Sequence, residues 1–212
     1  MRVSEILTLM GHLSVGNDNI TPTERAIFLQ YLNLAHWELY QETANFNQDL
    51  LIQENLTTEQ GTNAVELSRM PYLVSSVYDQ TRKRILTRLS VEDGVEHNPD
   101  APVQGAPCAY FIQKKILTFV PPQTAPVSVS VWYIPQPSTL TEAMEEEDIP
   151  YPVAWHAALA DGALYYLFQE EGGFKSASKE LEARKRWESG KSKLLSYLYS
   201  SSGQTFSTFS SI

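Results

Sequence analysis

Apolar positions recur at helical spacing near both ends of the chain and at strand spacing in between. Residues 1–15 gather Ile6, Leu7, Leu9 and Met10 on one side of a short helix, which Gly11 and the Gly16–Asn19 turn are expected to end. Thr21-Pro22-Thr23-Glu24 then sets a hydroxyl, a proline and a glutamate at the spacing of a capping box, predicting a helix to about Glu42. Phe28, Leu32, Ala35 and Leu39 form its stripe, and Ile27, Tyr31 and Leu34 widen it enough for two packing neighbours.

From Leu50 to Tyr133 the runs shorten and become β-branched: 50–57, 64–67, 72–78, 84–89, 109–112, 116–120 and 127–133. Val127, Val129, Val131 and Tyr133 alternate with Ser and Trp, as in a strand with one buried face. These runs predict one small sheet layer. Glu92–Pro107 holds three Pro and two Gly and reads as a long exposed loop.

Beyond Pro137, five of the eight residues Thr141–Asp148 are acidic, Glu145, Glu146 and Glu147 among them. Ile149-Pro-Tyr-Pro152 opens a helix over about Val153–Glu170, in which Ala154, Ala158 and Gly162 recur at every fourth position. Small side chains on one stripe predict close helix–helix contact. A last helix spans about Ser176–Tyr199, with Leu181, Trp187, Leu194, Leu195 and Leu198 as its apolar positions. Ser200–Ile212 is Ser-rich and is expected to be mobile alone. The class is therefore α+β: a helical bundle formed by N- and C-terminal helices with a central β-rich insertion and a mobile C-terminal tail. The boundaries fall at 1–46, 47–135, 136–199 and 200–212.

Composition narrows the function. The 212 residues carry 16 Lys and Arg against 25 Asp and Glu, a net charge of -9 that argues against a general nucleic-acid binder. Cys108 is the single cysteine, so no internal disulfide or cysteine zinc cage is available, and a reducing compartment fits. No apolar run reaches membrane-spanning length, and the acid at Glu5 argues against a secretory signal.

Candidate chemistry is sparse. Gly190-Lys191-Ser192 ends like a phosphate loop, but Lys185 stands where the earlier glycine is required, and the pattern is helical. His12, His36, His97 and His156 lack partners at metal-ligand spacing. His36 and His156 read as hydrogen-bonded histidines at helix contacts. The acidic run 145–148 lacks the alternation and glycine of a calcium loop and reads as a solvated turn before a helix. No nucleophile–base pair, dinucleotide fingerprint or metalloprotease pair is present. The expectation is a protein with no catalytic residues, metal or cofactor.

Charge is uneven, however. Lys175, Lys179, Arg184, Lys185, Arg186, Lys191 and Lys193 are seven of the sixteen basic residues and fall on or just before the last helix. They form either a solvated face with pairs such as Glu182–Arg186 or a seat for an acidic partner, including the 142–148 segment of a neighbouring copy. Phe206 and Phe209 in the tail are candidates for burial on a partner.

Val131-Trp-Tyr-Ile-Pro-Gln-Pro137, Leu140, the acidic stretch, Ile149-Pro150 and the helix with His156-Ala-Ala-Leu159 and Asp161-Gly-Ala-Leu-Tyr165 resemble the head-to-tail connector adaptors of tailed bacteriophages. Tyr31, Leu32, Ala35 and Tyr40 fit that family's opening helices. The resemblance implies a virion structural protein without catalytic activity. Its copies, usually twelve, form a ring beneath the portal of the DNA-filled capsid, extend the DNA channel and present a docking surface to the next tail or nozzle protein. It implies assembly in the host cytoplasm and residence in the neck between head and tail, with DNA passing through unbound and no membrane involved. Another neck or tail subunit, such as a head-closure or nozzle-binding protein, is the alternative; a small hydrolase is a third reading, from another class.

Overall fold

The computed structural model describes residues 1–16, 19–96, 106–123, 125–170 and 173–201. The chain divides into two compact units, one of Met1–Gln48 with the chain from Pro137 onward, the other of Asp49–Gln136.

The first unit is helical. Its described helices are α1 (Val3–Val15), α2 (Pro22–Thr43), α4 (His156–Gln169) and α5 (Ala177–Ser201). The Thr21 capping box is formed in full: Glu24 N–H donates to Thr21 Oγ1 at 3.3 Å, and Thr21 N–H returns to the Glu24 carboxylate at 2.8 Å. The Phe28, Leu32, Ala35 and Leu39 stripe is buried. It meets α4, the central helix, which packs on α1, α2 and α5. Leu159, Ala160, Ala163, Leu164 and Leu167 of α4 are fully or almost fully buried for that reason. Three expectations are corrected here. Gly11 lies buried inside α1, and the helix ends instead at Gly16, whose φ of 71° is the left-handed turn that glycine permits. Leu34 of α2 and Leu181 of α5 are exposed, so both apolar stripes are narrower than the sequence suggested.

The second unit holds two four-stranded sheets rather than one small layer. Its elements are β1 (Ile52–Thr57), β2 (Ala64–Glu66), β3 (Pro71–Asp79), β4 (Arg84–Ile85), β5 (Thr87–Arg88), α3 (Val91–Glu96), β6 (Ala109–Gln113), β7 (Ile116–Val120) and β8 (Ser128–Pro135). The sheet orders are β1-β8-β3-β4 and β2-β7-β6-β5, antiparallel except for the short β5–β6 pair. Val65, Leu117 and Phe119 of one sheet share a core with Val77, Val129, Val131 and Tyr133 of the other. β8 is a central strand, and its burial is not confined to the valine face: Ser130 and Ile134 are buried as well. Glu54 of β1 is tied to this core by the Tyr133 hydroxyl and by Ser68, whose backbone N–H donates at 3.1 Å. Burial alone would raise the Glu54 carboxyl, but the Ser68 and Tyr133 hydroxyls, with Arg69, hold it below its usual range.

The expected loop over 92–107 begins as helix α3. Gly94 fixes it: a Cβ there would stand 2.2 Å from the Phe111 ring of β6, so only glycine lets the helix lie against that strand. Residues 97–105 lie outside the described residues.

Candidate functional site

Folding divides the basic residues around α5 into engaged and open sets. Lys179 donates to the Ser14 carbonyl at 2.6 Å and lies 5.7 Å from the centroid of the Phe168 ring. Arg186 pairs with Asp161 and with Glu182, each at 2.7 Å. Burial raises the Asp161 carboxyl, and Arg186 opposes that shift. Lys191 has a side chain only 8% exposed and pairs with Glu38 at 2.7 Å and Glu42 at 3.0 Å, with its ammonium over the Trp187 ring. That engagement takes Lys191 out of any phosphate-binding role. Lys175 is exposed just before the helix. Arg184, Lys185 and Lys193 are exposed and form no ion pair among the described residues.

Lys185 and Lys193 border an open groove of about 420 Å³ between α4 and α5, with Ala154, Trp155, Ala158, Ser189 and Gly190 among its lining. The small residues explain how closely these helices approach. A Cβ on Gly190 would stand 2.8 Å from that of Ala158, and one on Gly162 would stand 2.9 Å from the Trp187 ring. Ala154 does not share that contact. It is exposed in the 3₁₀ turn Val153–Trp155, ahead of α4.

Three carboxylates of the acidic segment pair within their own chain. Glu142 pairs with Arg25 at 2.5 Å, Glu145 with Arg2 at 2.7 Å, and Glu146 with the Met1 amino group. The Met1 contact is the main reason that Glu146 lies below its ordinary carboxylate range. Glu147 is exposed. Phe206 and Phe209 lie outside the described residues, as does His97.

His36 and His156 are both fully buried in the helical unit. The Tyr151 hydroxyl donates to the His36 carbonyl at 3.0 Å and lies 3.2 Å from Nδ1. Nε2 has no hydrogen bond of ordinary geometry among the described residues, although the Ser138 backbone is near enough to favour the charged form. Burial outweighs that contact and lowers the His36 pKa to about 4. His156 Nε2 lies 2.8 Å from the Tyr151 carbonyl and its Nδ1 3.0 Å from that of Met1. The two rings thus tie α2 and the start of α4 to the connecting residues Tyr151 and Met1. Among the described residues, no three His, Cys, Asp or Glu side chains gather as a metal site, and no helix is long and apolar enough to cross a membrane.

Sequence reasoning missed the exposed apolar surfaces. Trp132, Tyr78, Ile85 and Leu51 line a shallow depression on the sheet β1-β8-β3-β4, and Ile85 is 69% exposed. Leu34 and Trp37 emerge together from α2. Trp132 is the signal available in the sequence, since it alternates with the buried Val131 and Tyr133 and so points to the opposite face.

The architecture is a helical unit with an inserted β unit and exposed apolar surfaces on each. The chain belongs to the SU10 adaptor protein family, whose model matches residues 1–205. The resemblance to phage connector adaptors is therefore borne out at the level of the family, and the chain is a phage structural adaptor. No curated protein matches the chain. A chain in a solved structure of the neck of an empty GTA particle, computed with C6 symmetry, is 15% identical, with 88% of each chain covered and a TM-score of 0.26. At that score the likeness carries no argument.

Proposed function

We propose that this chain is a subunit of the adaptor ring that joins the portal of a DNA-filled capsid to the tail and extends the DNA channel. Twelve copies form the ring in the virion neck after assembly in the host cytoplasm, without catalysis or cofactor. Family membership across 1–205 carries this reading. Two further features support it. Exposed Leu34, Trp37 and Ile85, with half-buried Trp132, are the neutral apolar and aromatic groups that subunit contacts use. A net charge of -9 per copy disfavours retention of a passing polyanion. Phe206 and Phe209 are proposed as additional contacts to the portal or to a neighbouring subunit.

The test is to mix the purified protein with mature heads lacking a neck and to image the portal vertex. A new density ring with retained DNA is expected. Unchanged vertices would refute the reading, and a ring that binds only after another neck protein would transfer the chain to a head-closure role.

A further inference from the structure

The open lysines of α5 have a chemical counterpart elsewhere in this chain. Helix α3 exposes Val91 and Val95, the latter 62% exposed, and beside them Glu92 and Glu96. Each pair is spaced i, i+4, so the two valines stand over one another as a short apolar ridge and the two glutamates flank it. Gly94, on the adjacent face, packs the helix against Phe111 while Val91 and Val95 stay exposed.

The groove between α4 and α5 offers the complement. Ala158 and Gly190 give it a low floor, Trp155 lines it, and Lys185 and Lys193 border it without ion pairs among the described residues. The two lysines are eight residues apart on one helix, about 12 Å. The two glutamates are roughly 6 Å apart, close enough for a lysine to lean in on each.

We propose that α3 of one copy docks in the α4–α5 groove of the next, with Val91 and Val95 over Ala158 and Gly190 and with Glu92 and Glu96 against Lys185 and Lys193. The contact is heterologous: one surface meets a different surface of the next copy, the geometry that closes into rings. It rests on the ring reading above and names the contact that holds neighbours together. A nucleic acid is the competing occupant. Lys185, Lys193 and the neighbouring exposed Arg184 are a small footprint for it, and the chain's net charge opposes it.

The test uses the full chain in solution, without heads, so that its failure and failure of portal binding are read apart. In a Cys108→Ser background, one preparation carries Val95→Cys and another Ser189→Cys. They are mixed and treated with a short bismaleimide, so that every cross-linked product is intermolecular. The Val95–Ser189 adduct is expected to form at least about tenfold faster than one from a Glu59→Cys control. Adding K185E and K193E to the groove chain should slow it about tenfold, and adding E92K and E96K to the other chain should restore it. Far-UV circular dichroism checks that each variant folds. An adduct no faster than the control, or one indifferent to these charges, would overturn the proposal. So would tight binding of a short duplex DNA that K185E/K193E abolishes while no adduct forms.

Discussion

The contact between Gly162 and Trp187 gives the sharpest test of the helical unit. Ordinarily, Gly→Ala inside a helix stabilises by about 1 kcal/mol. Here the new methyl would stand 2.9 Å from Cδ2 and Cε3 of Trp187 and 3.0 Å from Cβ of Ala35. Trp187 is fully buried, so its ring has nowhere to retreat. Overpacking of this kind costs about 1–3 kcal/mol, so Gly162→Ala should be destabilising by about 1 kcal/mol net. Trp187→Phe removes the ring that carries Cε3 and leaves a cavity, but it also removes an indole N–H that has no hydrogen-bond partner among the described residues. The single change should cost about 2 kcal/mol. Combined, the methyl fills space that the smaller ring vacates. The double variant should therefore be about 1 kcal/mol more stable than the sum of the singles predicts. Urea unfolding followed by far-UV circular dichroism measures all four proteins. A stabilising Gly162→Ala, or strict additivity, would refute the packing.

Four further outcomes are expected. Lys191→Met should destabilise the helical unit by about 2 kcal/mol, because Glu38 and Glu42 lose their cation but keep partial access to water; burial lowers the Lys191 pKa, yet Glu38 and Glu42 outweigh it and raise the value overall. A raised lysine stabilises fully below its unfolded pKa and less as pH climbs through the folded one, so the difference from wild type should narrow above about pH 10.5 in denaturant titrations. His36 is lowered from 6.5 to about 4, so the unfolded chain binds the extra proton first; wild type should lose up to about 3 kcal/mol between those pH values, and His36→Leu should flatten that slope. Glu54→Ala should loosen β1 in hydrogen exchange, by about 1–2 kcal/mol; with the folded pKa lowered, the wild-type advantage is full above pH 4.5 and falls away in acid. Deleting 202–212 should leave thermal unfolding unchanged and weaken binding to portal-bearing heads, and unchanged binding would discard Phe206 and Phe209 as contacts.

Local chemistry made some of this fold legible. The Thr21–Glu24 box is complete within four residues, so sequence alone defines the start of α2. Gly11 misled because a glycine breaks a helix only where the backbone turns left-handed, as at Gly16. α3 left no periodic signal in six residues. It exists because Gly94 fits under Phe111, a contact fifteen or more positions distant in the chain. The central place of β8 between β1 and β3 is likewise something alternation along one strand cannot reveal.

The charges show the same division most clearly, and they bear on function. Seven basic residues around one helix look like one positive surface in sequence. Helical rotation separates them: Lys191 falls beside Trp187 and is buried in ion pairs, whereas Lys193, two residues on, faces solvent. Arg186 is occupied by Asp161 and Glu182, and the acidic run that would have answered the seat already holds Arg2 and Arg25. Much of the apparent electrostatic interface is thus internal wiring that positions helices. What faces outward is narrower: Lys175, Arg184, Lys185 and Lys193, of which Lys185 and Lys193 border the α4–α5 groove. Two exposed pairs supply about 0.2–1 kcal/mol each and are screened within about 10 Å at 0.1 M salt. Assembly built on such surfaces should therefore draw most of its stability from apolar contact and only register from charge. Raising salt should then loosen pairing specificity, as in the charge-reversed mixtures, well before it dissolves an assembled ring.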